Sequence, residues 1–241
     1  MKLFDEENFI NQLSIDCVIF GYKEKELKVL VPKINLSKDL WALPGGFIQQ
    51  DESIDEAAQR ILQERTGLID IFLEQYRVFG QTERTNKEVF DEFSSIKNEL
   101  LEQHPFSKSD ITWLSKRFVS IGYYALVDIN KVNPQKGDFD ESIDWYNIKD
   151  LPNMIMDHNE MVTYALETLR QNLDHKLIGF NLLPETFTMK EVQELYEAIY
   201  DKPFARNNFQ KKILDMNVLE RLEKKFTGAA NKAPYLYKFK N

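Results

Sequence analysis

Apolar and polar positions divide the chain into a strand-rich first part and a helix-rich second part. Residues 14–21 and 26–33 are apolar runs (SIDCVIF, LKVLV) separated by Gly21 and a charged KEKE turn, which reads as a β-hairpin. Residues 41–48 (WALPGGFI) read as a strand broken by a Pro-Gly-Gly turn. At 53–66 the period changes to that of a helix, with Ile54, Ala58, Ile61 and Leu62 on one stripe. Ser53 can cap its start, Glu56 completes a capping box and Gly67 can stop it. Strands are expected near 69–79, 117–129 and 143–148. Between the first two of these, within 84–116, Phe90, Phe93, Ile96, Leu100 and Leu101 recur at helical spacing and predict a helix of about four turns. A further helix is expected over 158–173, with Asp157 as N-cap.

The last 64 residues continue with helices. Over 188–200, Thr188 and Glu191 form a second capping box, and Val192, Leu195, Tyr196 and Ile199 make an apolar face. Asp201-Lys202-Pro203 breaks the chain, and 205–216 resumes with Phe209, Ile213 and Leu214 inward. The end of the chain reads as two strands around a glycine-containing loop. The pattern therefore predicts an α/β domain over 1–155, a connecting helix within 156–177 and a small helical domain with a β-hairpin over 178–241.

Charge sharpens that division. The chain carries −8 overall, yet residues 202–241 hold ten Lys and Arg against three Asp and Glu, so this end carries +7 and the remainder −15. A basic end on an acidic body suggests two tasks, although a lysine-rich solvated surface has the same composition. Cys17 is the only cysteine, which excludes an intrachain disulfide and a cysteine metal cluster; within Val18-Ile19-Phe20 it reads as a buried thiol and fits a reducing cytoplasm. No leader pattern or run of ~20 apolar residues marks a membrane partner.

Residues 45–68, GGFIQQDESIDEAAQRILQERTGL, carry the first chemical motif. They resemble the Nudix hydrolase box in register: Gly46, Glu52, Arg60, Leu62, Glu64, Gly67 and Leu68 all fall at its specified positions. The family holds Mg²⁺ on carboxylates of this helix, and positions 61, 64 and 65 share a face. Here they are Ile61, Glu64 and Arg65, so their summed charge is zero. A hard dication needs anionic oxygens, so the resemblance implies the Nudix α/β/α sandwich without a catalytic centre, metal or cofactor. Glu52 and Glu64 can hold a metal weakly, or Arg60 can pair with one of them and brace the loop. An active hydrolase that recruits Asp91, Glu92 or Glu99 from the acidic 84–116 segment is the alternative.

Residues 178–241 resemble a winged helix-turn-helix. Arg206, Asn207, Asn208, Gln210, Lys211 and Lys212 lie on its second helix, and Lys224, Lys225 and Lys232 flank the wing. Arg reads guanine, Asn and Gln read adenine, and Lys holds phosphate. Together the two motifs resemble the Nudix-related transcriptional regulators, and the stretches IGFNLLPETFTMKEV and RFVSIGYYALV resemble their Bacteroidetes branch, which includes an arabinose-responsive regulator. That resemblance implies a homodimer that binds operator DNA and a small effector, with a pentose sugar first and an ADP-ribose-like nucleotide second. Trp41, Gln49, Glu83, Tyr123 and Trp145 are candidate effector-lining residues by analogy with the family's cleft. An adaptor whose basic end binds an acidic protein is a third reading.

Overall fold

The computed structural model describes residues 7–35, 39–85, 108–137, 140–174, 178–225 and 233–240. The expected helix around Phe90–Leu101, with Asp91, Glu92 and Glu99, and the wing residue Lys232 lie outside them.

The order of elements is β1 (Phe9–Lys23), β2 (Glu26–Ile34), β3 (Gly45–Gln49), α1 (Ile54–Thr66), β4 (Phe72–Phe79), α2 (Lys108–Leu114), β5 (Val119–Val127), β6 (Asp140–Asn147) and α3 (His158–Asn172). A 3₁₀ turn (Ile178–Leu182) leads to β7 (Phe187–Thr188), α4 (Met189–Tyr200), α5 (Arg206–Asp215), β8 (Leu219–Lys224) and β9 (Tyr235–Phe239). The large sheet runs β4-β5-β1-β2-β6, with β3 also paired to β1, and the small sheet runs β7-β9-β8. β1 is parallel to β5 and antiparallel to β2 and β3.

The unbroken apolar run of β1 follows from burial on both faces. Ile15, Cys17 and Ile19 meet α1 through Ala57, Ala58, Ile61 and Leu62. Val18 and Phe20 point to the other face, where they join α3 through Met161, Val162 and Leu169. This second core does not stop at α3. It continues without interruption into Val192, Leu195, Tyr196 and Ile199 of α4 and Phe209 and Ile213 of α5. Polar bonds tie the same junction: Lys25 pairs with Glu194 at 3.0 Å, and Arg170 Nε donates to the Ile199 carbonyl at 2.7 Å. The winged helix is thus packed on the sheet of its own chain.

Several local expectations are corrected. The 41–48 segment is not one strand. Trp41 makes only isolated bridges, to Lys33 and Met154, and β3 begins at Gly45, beyond a proline that has no N–H to donate. Ile54 is 40% exposed because it opens the helix before the stripe reaches the core, and Ala57 takes its place inside. Leu214 is 43% exposed, one residue and about 100° beyond Ile213. Asp157 makes no cap bond, because its carboxylate is taken by Arg84.

Candidate functional site

The Nudix-box helix is fixed at both ends. Ser53 and Glu56 form the reciprocal capping box, and Gly67, at φ 71°, closes the C-terminus in the left-handed conformation that glycine adopts without strain. On the face where the family binds metal, Ile61 is 1% exposed and lies over Gly46, where a Cβ would meet its side chain at 2.9 Å. Arg60 clasps Glu52 through Nε at 2.9 Å and Nη2 at 2.6 Å, and also donates to the Phe47 carbonyl at 2.9 Å and to Glu64 at 3.3 Å. The Arg60 bonds, helped by the Gln49 amide, hold the Glu52 carboxyl below its ordinary pKa. Arg65 turns away and pairs with Asp140, pinning the 133–137 segment, whose amides at Asn133 and Gln135 donate to the carbonyls of Thr66 and Arg65. These residues do not fit a Mg²⁺ ion: one position is apolar and buried, one is cationic, and one remaining carboxylate is clasped by a guanidinium. Among the described residues no group of three His, Cys, Asp or Glu is arranged to hold a metal.

The candidate effector residues do not form one site. Trp41 is packed against the α3 face and donates to the Tyr146 hydroxyl at 3.1 Å. Tyr123 lies on the opposite face and donates to Asp55 at 2.5 Å. The Gln49 backbone serves Glu52, while Glu83 is exposed and accepts from Thr82 at 2.7 Å. Trp145 lines an open cleft of about 350 Å³, walled by Ile129, Val132 and Pro134, with Lys23, Glu24 and Lys28 at its rim. Gly21 lets the indole lie against β1, since a Cβ there would meet the ring at 2.8 Å. The cleft's wall belongs to the loop that Arg65 pins.

A buried polar cluster was not foreseen. Arg84, 4% exposed, donates from Nη2 to Asp16 at 2.9 Å and from Nε to Asp157 at 2.9 Å. Ser120 donates to the same Asp16 oxygen at 2.5 Å. His158 accepts from the Leu43 amide at Nδ1, 2.8 Å, which assigns its ring proton to Nε2, facing Asp16 at 3.8 Å. Burial pushes the imidazole pKa below its ordinary value; Asp16 opposes this and Arg84 adds to it. Burial resists ionisation of Asp16 too, but His158, Arg84 and Ser120 together draw its pKa below normal. The cluster joins β1 to the start of α3. The one available signal was an acid inside an apolar strand, in SIDCVIF.

On the winged helix, α5 presents Arg206, Asn207, Asn208 and Lys211 to solvent, with Gln210 half-buried. Among the described residues none of these five side chains has a protein partner. Lys212, by contrast, donates to Asp174 at 2.5 Å, and Lys225 donates to Glu191 at 3.3 Å. On the wing, Arg221 and Lys224 lie 4.5 and 5.4 Å from the centre of the Tyr235 ring. No helix among the described residues is long and apolar enough to cross a membrane.

Residues 11–165 match the Nudix domain model, and residues 179–239 match the NrtR DNA-binding winged helix domain. A curated relative, the ADPR responsive transcriptional repressor NtrR of Acinetobacter baylyi, is 25% identical over 234 residues, covering 94% of this chain and 81% of the relative. The crystal structure of Shewanella oneidensis NrtR superposes with a TM-score of 0.71 at 25% identity, over 95% of this chain and 94% of that one. A MutT/nudix family protein from Enterococcus faecalis shares the fold, with a TM-score of 0.68 at 18% identity over 100% of this chain and 90% of that one.

Proposed function

The chain belongs to the Nudix family, and from that premise we propose that it is a ligand-responsive transcriptional repressor that binds operator DNA and does not hydrolyse its effector. The observation that carries this reading is the set Arg206, Asn207, Asn208 and Lys211, four exposed polar side chains on one helix with no polar partner among the described residues. Such groups are the ones that read base edges and hold phosphate in a helix-turn-helix. The full-length relative is named as a repressor responsive to ADPR, which supports the same pairing of sensor and reader.

For the effector we place an ADP-ribose-like nucleotide ahead of a pentose. The Trp145 cleft offers an indole for a planar base and Lys23 for phosphate, whereas a pentose has only hydroxyls to offer them. Two copies joined through their Nudix parts would set two basic reading heads on neighbouring half-sites, about one helical turn apart, without bringing the heads into repulsion.

The test is fluorescence anisotropy with a duplex selected by the protein from a random pool and a scrambled control, across a salt series. Arg206→Ala is expected to cost ~1–3 kcal/mol on the selected duplex and to blur its preference. Lys211→Gln, at an exposed lysine with no polar partner among the described residues, is expected to weaken all duplexes alike and lower the salt slope by about one. Unchanged affinity for both variants at every salt concentration overturns the reading. In parallel, ADP-ribose should raise the melting temperature, and with Mg²⁺ it should not be turned over. Robust turnover abolished by Glu64→Gln would restore the hydrolase.

A further inference from the structure

Lys212 was grouped with the phosphate-contacting residues of α5, but its geometry assigns it elsewhere. It stands three residues after the buried Phe209 and one before the buried Ile213, on the flank of α5 that turns towards the end of α3. There its ammonium is shared. It donates to Asp174 Oδ2 at 2.5 Å and lies 5.6 Å from the centre of the Tyr196 ring on α4. Asp174 follows α3, the helix that leaves the sensor's core, and its side chain is 30% exposed against 42% for Lys212. The Tyr196 hydroxyl and the second Asp174 oxygen are both buried behind this contact. Three elements therefore meet at one charge: the end of the connecting helix, the first helix of the winged helix and its second.

We propose that Asp174 and Lys212 form a positioning pair that sets the angle at which α5 is presented, and that Lys212 does not contact DNA. The proposal rests on the DNA-binding reading for its effect but on the protein alone for its geometry. It makes a prediction whose sign is diagnostic. Removing a negative charge beside a DNA-binding helix ordinarily tightens binding to the polyanion. If Asp174 instead holds α5 in place, its loss weakens binding despite that gain.

The experiment uses the full chain with Asp174→Asn, Lys212→Gln, the double variant and Lys212→Arg. Hydrogen exchange of the 206–215 amides is followed without DNA, and anisotropy with the selected duplex is followed across salt. Each single neutralising change is expected to speed exchange and to weaken binding about two- to fivefold, the range an exposed ion pair spans. The double variant should be no worse than either single one, the salt slope should stay that of the wild type, and Lys212→Arg should bind normally. Tighter binding by Asp174→Asn, with a slope lowered by about one in Lys212→Gln, overturns the proposal and makes Lys212 a phosphate ligand. Unchanged exchange in both single variants also overturns it. Coupled, non-additive exchange in a protein that binds no duplex sinks the DNA reading and leaves the positioning pair standing.

Discussion

The two motif helices, α1 and α5, treat their polar residues in opposite ways. On α1 the polar groups are used up inside the protein: Ser53 and Glu56 bond each other's backbone, Arg60 clasps Glu52, and Arg65 holds Asp140. On α5 the first residue has no side-chain cap, because Ala205 occupies that position, and four exposed polar side chains have no polar partner among the described residues. Exposed polar groups that water alone satisfies remain free to meet a partner outside the chain. Polar groups that close on one another describe the reverse case, a helix face that serves as scaffold.

The strongest way to break this contrast is to put the family's carboxylate back on α1. Arg65→Glu sets two carboxylates together where the Arg65–Asp140 pair was, with side chains only 12% and 6% exposed. Breaking such a pair costs ~3–5 kcal/mol, read as a drop in urea midpoint, and Mg²⁺ should not recover it. Full recovery by Mg²⁺ would mean that the face is still a metal site. A milder comparison concerns the two N-caps. Ser53→Ala should cost ~0.5–2 kcal/mol, whereas Ala205→Ser, which supplies α5 with a side-chain acceptor, should raise stability by a few tenths to ~1 kcal/mol. Equal, null effects in both would remove the capping difference from the argument.

What was legible in the sequence was local. Both capping boxes were read correctly, since each rests on residues three apart: Ser53 with Glu56, and Thr188 with Glu191. The Asp157 cap failed because Arg84, 73 residues earlier, competes for the same carboxylate. Arg65 could be read as a lost glutamate but not as the partner of Asp140, which lies 75 residues away. The proposed lining residues scattered for a related reason: Trp145 sits on a strand and Trp41 on the irregular segment before β3, and nothing local in the sequence says that the two come to opposite faces of the sheet. The docking of the winged helix on the sheet is written in apolar surface that either domain alone would also show.

A pH-dependent effect concerns the cluster that holds the start of α3. The folded-state pKa of His158 lies below the ordinary 6.5, so the unfolded chain takes up the proton first as pH falls. The contribution of His158 is therefore complete above about pH 6.5 and is lost as pH falls towards the folded value, at no more than about 1.4 kcal/mol per pH unit. Urea midpoints between pH 7.5 and 5 should fall less steeply in His158→Asn than in the wild type. A wild type that falls less steeply than His158→Asn would show that Asp16 and Asp157, which face the ring together with Arg84, keep the imidazole charged, and identical slopes would show that His158 adds nothing to the pH dependence.

The unbroken core between the sheet and the winged helix makes the molecule a ruler. A reading head on a loose tether can follow a displaced half-site; one fused to the body beneath it cannot. In any symmetric pair of such chains, the distance between the heads is inherited from the body-to-body contact. Adding a single base pair between half-sites then turns one of them by about 34–36° around the duplex axis, out of reach of a head that has no slack to give.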